Sequence, residues 1–157
     1  MKIPPDKYDK IWETISIILL LAHALLLVWA LPLLPERVAV HFDFSGRADG
    51  WGNKNTLWYM FLIAVLFYGL MTYISFRPDL YHSRMTKNNL NEQFRLTSKM
   101  VRTVKAFILL AFICLTIFMF KTAQGKWTEA IPLLVLIFLV IIIIPCIYYA
   151  VKISRIR

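Results

Sequence analysis

Cysteine occurs only twice, at Cys114 and Cys146, which excludes a disulfide-stapled secreted module. Acidic residues are scarce: nine Asp and Glu against eighteen Lys and Arg leave a formal charge of +9. Charged residues of both signs make up 17% of the chain, well below the roughly 25% of a soluble domain. No glycine-rich phosphate loop, dinucleotide fingerprint or HExxH zinc motif is present, and Ser16, Ser75 and Ser83 have no His/Asp partner arrangement. Hydrophobic residues, by contrast, reach 59% of 157 positions, above the roughly 45–50% usual in soluble chains. A soluble core of this size cannot hide so many apolar side chains. The expected fold class is therefore an all-α integral membrane protein.

Four stretches carry no formal charge: Thr14–Pro35, Leu57–Phe76, Ala106–Phe120 and Ile131–Val151. A membrane-crossing helix needs about 20 apolar residues for about 30 Å of hydrocarbon. The third run has 15 residues, roughly 22 Å of helix. Lys105 and Lys121 flank it and are expected to bend their ammonium groups outward, lengthening the span at both ends. The chain then reads as one four-helix membrane domain over residues 1–157, with spans near 12–34, 57–76, 103–121 and 131–151. The first run is longer than a signal peptide's apolar region and ends in Leu31-Pro32-Leu33-Leu34-Pro35 without an A-x-A-like site, so it is expected to be retained.

Thirteen Lys and Arg residues fall in the N-terminus, the second loop and the tail, against five in the first and third loops. The positive-inside rule then predicts both termini in the cytoplasm of a multi-pass inner-membrane protein. The basic excess becomes a topology signal that also meets anionic lipid, and nucleic acid is not an expected partner. Trp12, Tyr73, Tyr148 and Tyr149 fall near the predicted inner interface; Trp29, Trp58, Tyr59 and Trp127 fall near the outer one. Pro145 is expected to kink the fourth helix. Cys114 and Cys146 would lie roughly 15 and 7 Å from the inner ends of their helices, too different in depth for a disulfide.

The two longer loops differ in pattern. In the outer one, Val38, Val40, Phe42 and Phe44 alternate with Ala39, His41 and Asp43, predicting an extended segment with one apolar face. Ser45-Gly46 and Asp49-Gly50 read as turns, and Asn55 as a cap for the second helix. The segment is expected to fold over the helix ends and to pair with Trp51–Lys54 or with a second copy. In the inner loop, Leu90, Phe94, Thr97, Val101 and Val104 recur at helical steps while Glu92, Arg95, Lys99 and Arg102 take other faces. This predicts an amphipathic helix at the cytoplasmic interface that turns into the third span, with Asn89 and Glu92 as a capping box or Asn88 as an alternative cap.

The outer loop, Leu34-Pro35-Glu36-Arg37-Val38-Ala39-Val40-His41-Phe42-Asp43 followed by Gly46, Asp49-Gly50 and Gly52-Asn53-Lys54, resembles the signature of a bacterial membrane-protein family. That family is the domain of unknown function 1648, related to the N-terminal part of SdpI-type immunity proteins. Leu34, Pro35, Val38, His41, Phe42, Gly46, Asp49, Gly52 and Lys54 match its pattern. Ala39 stands where proline is usual and Asp43 where asparagine is usual. Thr86–Arg102 is similar to the family's threonine-capped helix with a basic end. The resemblance implies a small multispan inner-membrane protein whose better-known relatives protect a cell from a membrane-active toxin or relay its presence.

The candidate ligand-binding residues are His41, Asp43, Gly46, Asp49, Gly52 and Lys54 in the loop 35–54. His41 and Asp43 share a strand face, and Asp49 and Glu129 are placed to approach them. Three readings stand: hydrogen bonds that hold the loop while Phe42 and Phe44 anchor it, recognition of a ligand or toxin, or a metal or general-base site. An EF-hand starting at Asp43 fails, because Ala48 and Lys54 stand where Gly and Glu are required. His23, near the middle of the first span, is an intramembrane polar group expected to bond Tyr68, Thr72 or Thr116, or to serve as a proton or ligand site. Glu13 is expected to meet Lys10 or lipid headgroups. No cofactor and no metal is expected. The leading function is non-enzymatic recognition, immunity or signalling directed at a membrane-active peptide or envelope ligand, with a homodimer or another membrane protein as further partners. A membrane-embedded enzyme on lipid or envelope precursors, or a small transporter component, are the alternatives.

Overall fold

The computed structural model describes residues 5–77, 89–125 and 131–156. Helix α1 (Lys7–Ala30) ends in a short 3-10 turn (Leu31–Leu33), followed by β1 (Arg37–Phe42), β2 (Ala48–Asn53) and α2 (Thr56–Phe76). Two further helices, α3 (Leu90–Ala123) and α4 (Ile131–Ser154), complete the described chain. Four helices are long and apolar enough to cross a membrane. This is a multi-pass helical membrane protein, as the composition predicts.

Helix α3 is the hub: α1, α2 and α4 each pack most extensively against it. Leu62, Leu66 and Leu70 on α2 and Leu136, Val140, Ile144 and Ile147 on α4 are exposed at three- and four-residue steps, which are the faces a bilayer covers. Helices α1 and α3 run in the same direction, held in nearly constant register. His23 meets Thr116, 93 positions on; Glu13 meets Lys105, 92 on; Asp6 meets Arg95, 89 on.

The hairpin sits across one end of the bundle. Strands β1 and β2 pair antiparallel, with Val38 opposite Gly52, Ala39 opposite Trp51 and His41 opposite Gly50. This realises the predicted pairing with Trp51–Lys54 within one chain. Buried Val38, Leu57, Leu27, Leu31, Met119 and Phe120 form a core beneath it, with Phe42 and Val40 partly buried against that core. The rings of Phe42 and Phe118 meet edge-on at 5.3 Å.

Several expectations are corrected. The amphipathic segment does not turn into the third span: α3 is one uninterrupted helix of 34 residues, about 51 Å long and so longer than the hydrocarbon. Phe94 and Thr97 of the expected apolar face are buried, but the inward face then takes in two cations. Arg102 and Lys105 are buried while Val101 and Val104 are only half-buried, because α1 presents carboxylates there. Lys105 thus turns inward rather than outward, and Glu13 meets Lys105 rather than Lys10 or headgroups. Asn89 and Glu92 form no capping box; the Asn89 amide donates instead to the Ile156 carbonyl at 2.6 Å, tying the start of α3 to the end of α4. Asn55 occupies the cap position of α2 without a side-chain cap bond. The capping box lies on α1, where Asp6 accepts from the Asp9 N–H and Asp9 accepts from the Asp6 N–H. Cys114 and Cys146 are free and half-buried. Ser83, Thr86, Asn88, Trp127 and Glu129 lie outside the described residues.

Candidate functional site

The hairpin owes its shape to Asp43 and two glycines. The Asp43 carboxylate accepts from the N–H groups of Ser45 at 2.8 Å and Arg47 at 2.9 Å, and its backbone closes the turn with Arg47 and Gly46. Gly46 has φ of 84°, a left-handed conformation that other residues enter at a cost. At Gly50 a Cβ would stand 2.7 Å from that of His41, so the strands approach this closely only with glycine there. Gly52 lies opposite Val38 and against the Val40 side chain. Lys54 closes the base: its Nζ is 3.0 Å from Glu36 Oε1 and 3.5 Å from the Leu34 carbonyl.

These contacts divide the predicted residues into two groups. Asp43, Gly46, Gly52 and Lys54 build the loop. His41 and Asp49 come together on the exposed face, Nδ1 to Oδ1 at 2.5 Å, with side chains 72% and 46% exposed. Asp43 shares a strand end with His41 but is committed to the turn, and Glu129 lies outside the described residues. Among the described residues no group of three His, Cys, Asp or Glu side chains is placed to hold a metal ion. Phe44 does not anchor the loop; it stands at the turn, fully exposed, and Trp51 on β2 is about half exposed. The hairpin therefore seats Val38 and Phe42 on the helix ends and leaves Phe44, Trp51, His41 and Asp49 exposed. Rings with these properties supply contact area at low entropic cost.

His23 is buried at mid-helix. Its Nε2 lies 2.9 Å from Thr116 Oγ1, and its ring meets Phe61 edge-on at 5.4 Å. Of the three partners the sequence offers, Thr116 is the one realised.

The opposite end of the bundle holds an ionic seam that the sequence reading did not anticipate. Asp6, Asp9 and Glu13 form one stripe at helical spacing; Arg95, Lys99, Arg102 and Lys105 form the complementary stripe on α3. Asp6 Oδ2 lies 3.0 Å from Arg95 and 2.8 Å from Lys99. Asp9 pairs with Arg102 at 2.8 Å. Lys105 Nζ donates to both Glu13 oxygens at 2.9 and 2.8 Å and to Thr72 at 2.8 Å. Tyr68 donates to Glu13 at 2.8 Å, bringing α2 into the seam. Lys105 and Arg102 side chains are only 1% and 3% exposed. The Lys99 ammonium, with the Asp9 N–H and Arg95, holds the Asp6 carboxyl well below its usual range. The signal was present: acids at i, i+3 and i+7 facing bases at i, i+4, i+7 and i+10. Four cations that the positive-inside count assigns to a loop are thus paired with acids at the start of α1, two of them, Arg102 and Lys105, inside the bundle.

The segment from the middle of α1 through the hairpin to α2 is the part that comparison recognises. Residues 17–69 match the family model described as Domain of unknown function (DUF1648). The chain contains a DUF1648 domain. No curated protein and no solved structure matches the chain. The DUF1648 segment includes His23, the whole hairpin and Tyr68, whereas the acids of α1 and the bases of α3 lie outside it. The hairpin is thus a property of the DUF1648 segment, and the ionic seam fastens that segment to α3.

Proposed function

We propose that this DUF1648 protein is a non-enzymatic recognition protein of the bacterial inner membrane. In this reading the hairpin faces outward and engages a membrane-active peptide or an envelope ligand, serving immunity or signalling as in the SdpI-type proteins. One observation carries it: the hairpin is seated by Val38 and Phe42 on the helix ends, yet leaves Phe44, Trp51 and the His41–Asp49 pair uncovered. A rigid platform with free aromatic and polar groups suits binding, because little ordering entropy remains to be lost on contact. The uneven distribution of Lys and Arg supports the outward placement, and α3, running from the seam to the hairpin, supplies a stiff connection between the two ends.

Deleting the gene is expected to change sensitivity to at least one peptide in a panel of membrane-active peptides. Trp51→Ala or His41→Ala should reproduce most of that change, since truncating a central aromatic anchor costs about 2 kcal/mol or more, roughly 30-fold in affinity. Unchanged sensitivity of the deletion strain across the panel would count against the proposal.

A further inference from the structure

Helices α1 and α4 both pack on α3, and residues of all three line a groove of about 510 Å³. That volume falls in the range of about 300–1,000 Å³ typical of small-molecule sites. Its exposed lining is almost wholly apolar. At the seam end, Tyr8 bonds Tyr149 at 2.7 Å and Thr103 at 2.9 Å through their hydroxyls. Further along, Trp12, Phe107 and Ile144 make it apolar. Cations flank the hydroxyl end. The Lys152 ammonium lies 5.9 Å from the Tyr148 ring, and Arg155 is exposed one turn beyond it. Lys99 stands 5.0 Å from the Tyr8 ring while paired with Asp6.

From this apolar lining and the neighbouring cations we infer that the groove is a binding site for one anionic phospholipid, with an acyl chain against Trp12, Phe107 and Ile144 and the headgroup at Lys152 and Arg155. An apolar groove that faces a bilayer fills with hydrocarbon, and the Lys152 ammonium beside the Tyr148 ring that lines the groove puts a cation where a headgroup would emerge. Basic pockets between membrane helices recognise anionic headgroups in this way. Because Lys99 is neutralised by Asp6, Lys152 and Arg155 carry the charge selectivity. The inference does not rest on the hairpin or on its ligand.

Trp12 reports occupancy directly. The full chain with Trp29, Trp51, Trp58 and Trp127 replaced by Phe is reconstituted in nanodiscs of unlabelled phosphatidylcholine. Phosphatidylglycerol or phosphatidylcholine with brominated chains is then titrated in. Trp12 quenching is expected at a several-fold lower mole fraction of the brominated phosphatidylglycerol, and Lys152→Gln with Arg155→Gln should abolish that difference. Native mass spectrometry of the unmodified protein, expected to retain one phosphatidylglycerol per chain, decides the matter if the single-tryptophan variant does not fold. Equal quenching by the two lipids would reduce the groove to ordinary bilayer contact and overturn the site. So would a groove closed by a second copy, read as a cross-linked dimer with Trp12 shielded from both lipids.

Discussion

Lys105→Met is expected to destabilise the bundle by about 3–5 kcal/mol, the range for removing one partner of a buried ion pair. The ammonium is 1% exposed and neutralises Glu13, which sits among Tyr68, Thr72 and Arg102. Without Lys105, a carboxylate remains at the junction of three helices with Arg102, at 3.8 Å, as its one charged neighbour among the described residues. Adding Glu13→Gln should recover most of the loss, because the pair as a whole contributes little net stability once desolvation is counted. Unfolding in mixed detergent–SDS titrations measures both. A loss below about 1 kcal/mol for the single variant, the scale of a surface pair, would show that the seam is not buried as described. The same comparison tests the seam's role in register. The acids and bases match in one alignment of α1 on α3, and a buried pair is best suited to fixing such an alignment.

Phe118→Ala carries the second largest expected effect, again about 3–5 kcal/mol by the cost of emptying a buried aromatic site. Phe118 is fully buried and receives the Phe42 ring from the hairpin. Its loss should also loosen the seating of β1, so amide exchange at Val40 and Phe42 is expected to accelerate while amides near Asp9 and Lys105 keep their protection. Unchanged exchange at β1 would mean that the hairpin holds itself without the helix ends. A lone two-stranded hairpin is marginal in water, so this outcome would also require a different account of the Val38 contacts.

The helices were legible because uncharged runs of membrane length have few other fates, and the hairpin because period-two alternation and Gly-containing turns fix its local geometry. Phe44 misled because the alternation was extended one residue into the turn that Asp43 closes. The ionic seam was missed for a different reason. Taken alone, charges near a membrane signal orientation and the solvated faces of an interfacial helix. In the fold, the complementary stripe on α1 offsets the desolvation cost of burying Arg102 and Lys105. That complementarity joins segments nearly ninety residues apart, so no local pattern within α3 shows which of its faces turns inward. Asn55 and Asn89 were plausible caps by residue type. Asn89 instead bonds the end of α4, a tertiary contact that overrides local preference.

In the proposed arrangement the hairpin and the ionic seam stand on opposite sides of the bilayer, with the hairpin outside. Site-directed cysteine labelling tests it directly, in a background where Cys114 and Cys146 are replaced by Ser. Phe44→Cys should react with a membrane-impermeant maleimide in intact cells, and Arg155→Cys only after permeabilisation. Labelling of Arg155→Cys in intact cells, with Phe44→Cys protected until the membrane is opened, would place the hairpin inside and overturn the proposed recognition surface.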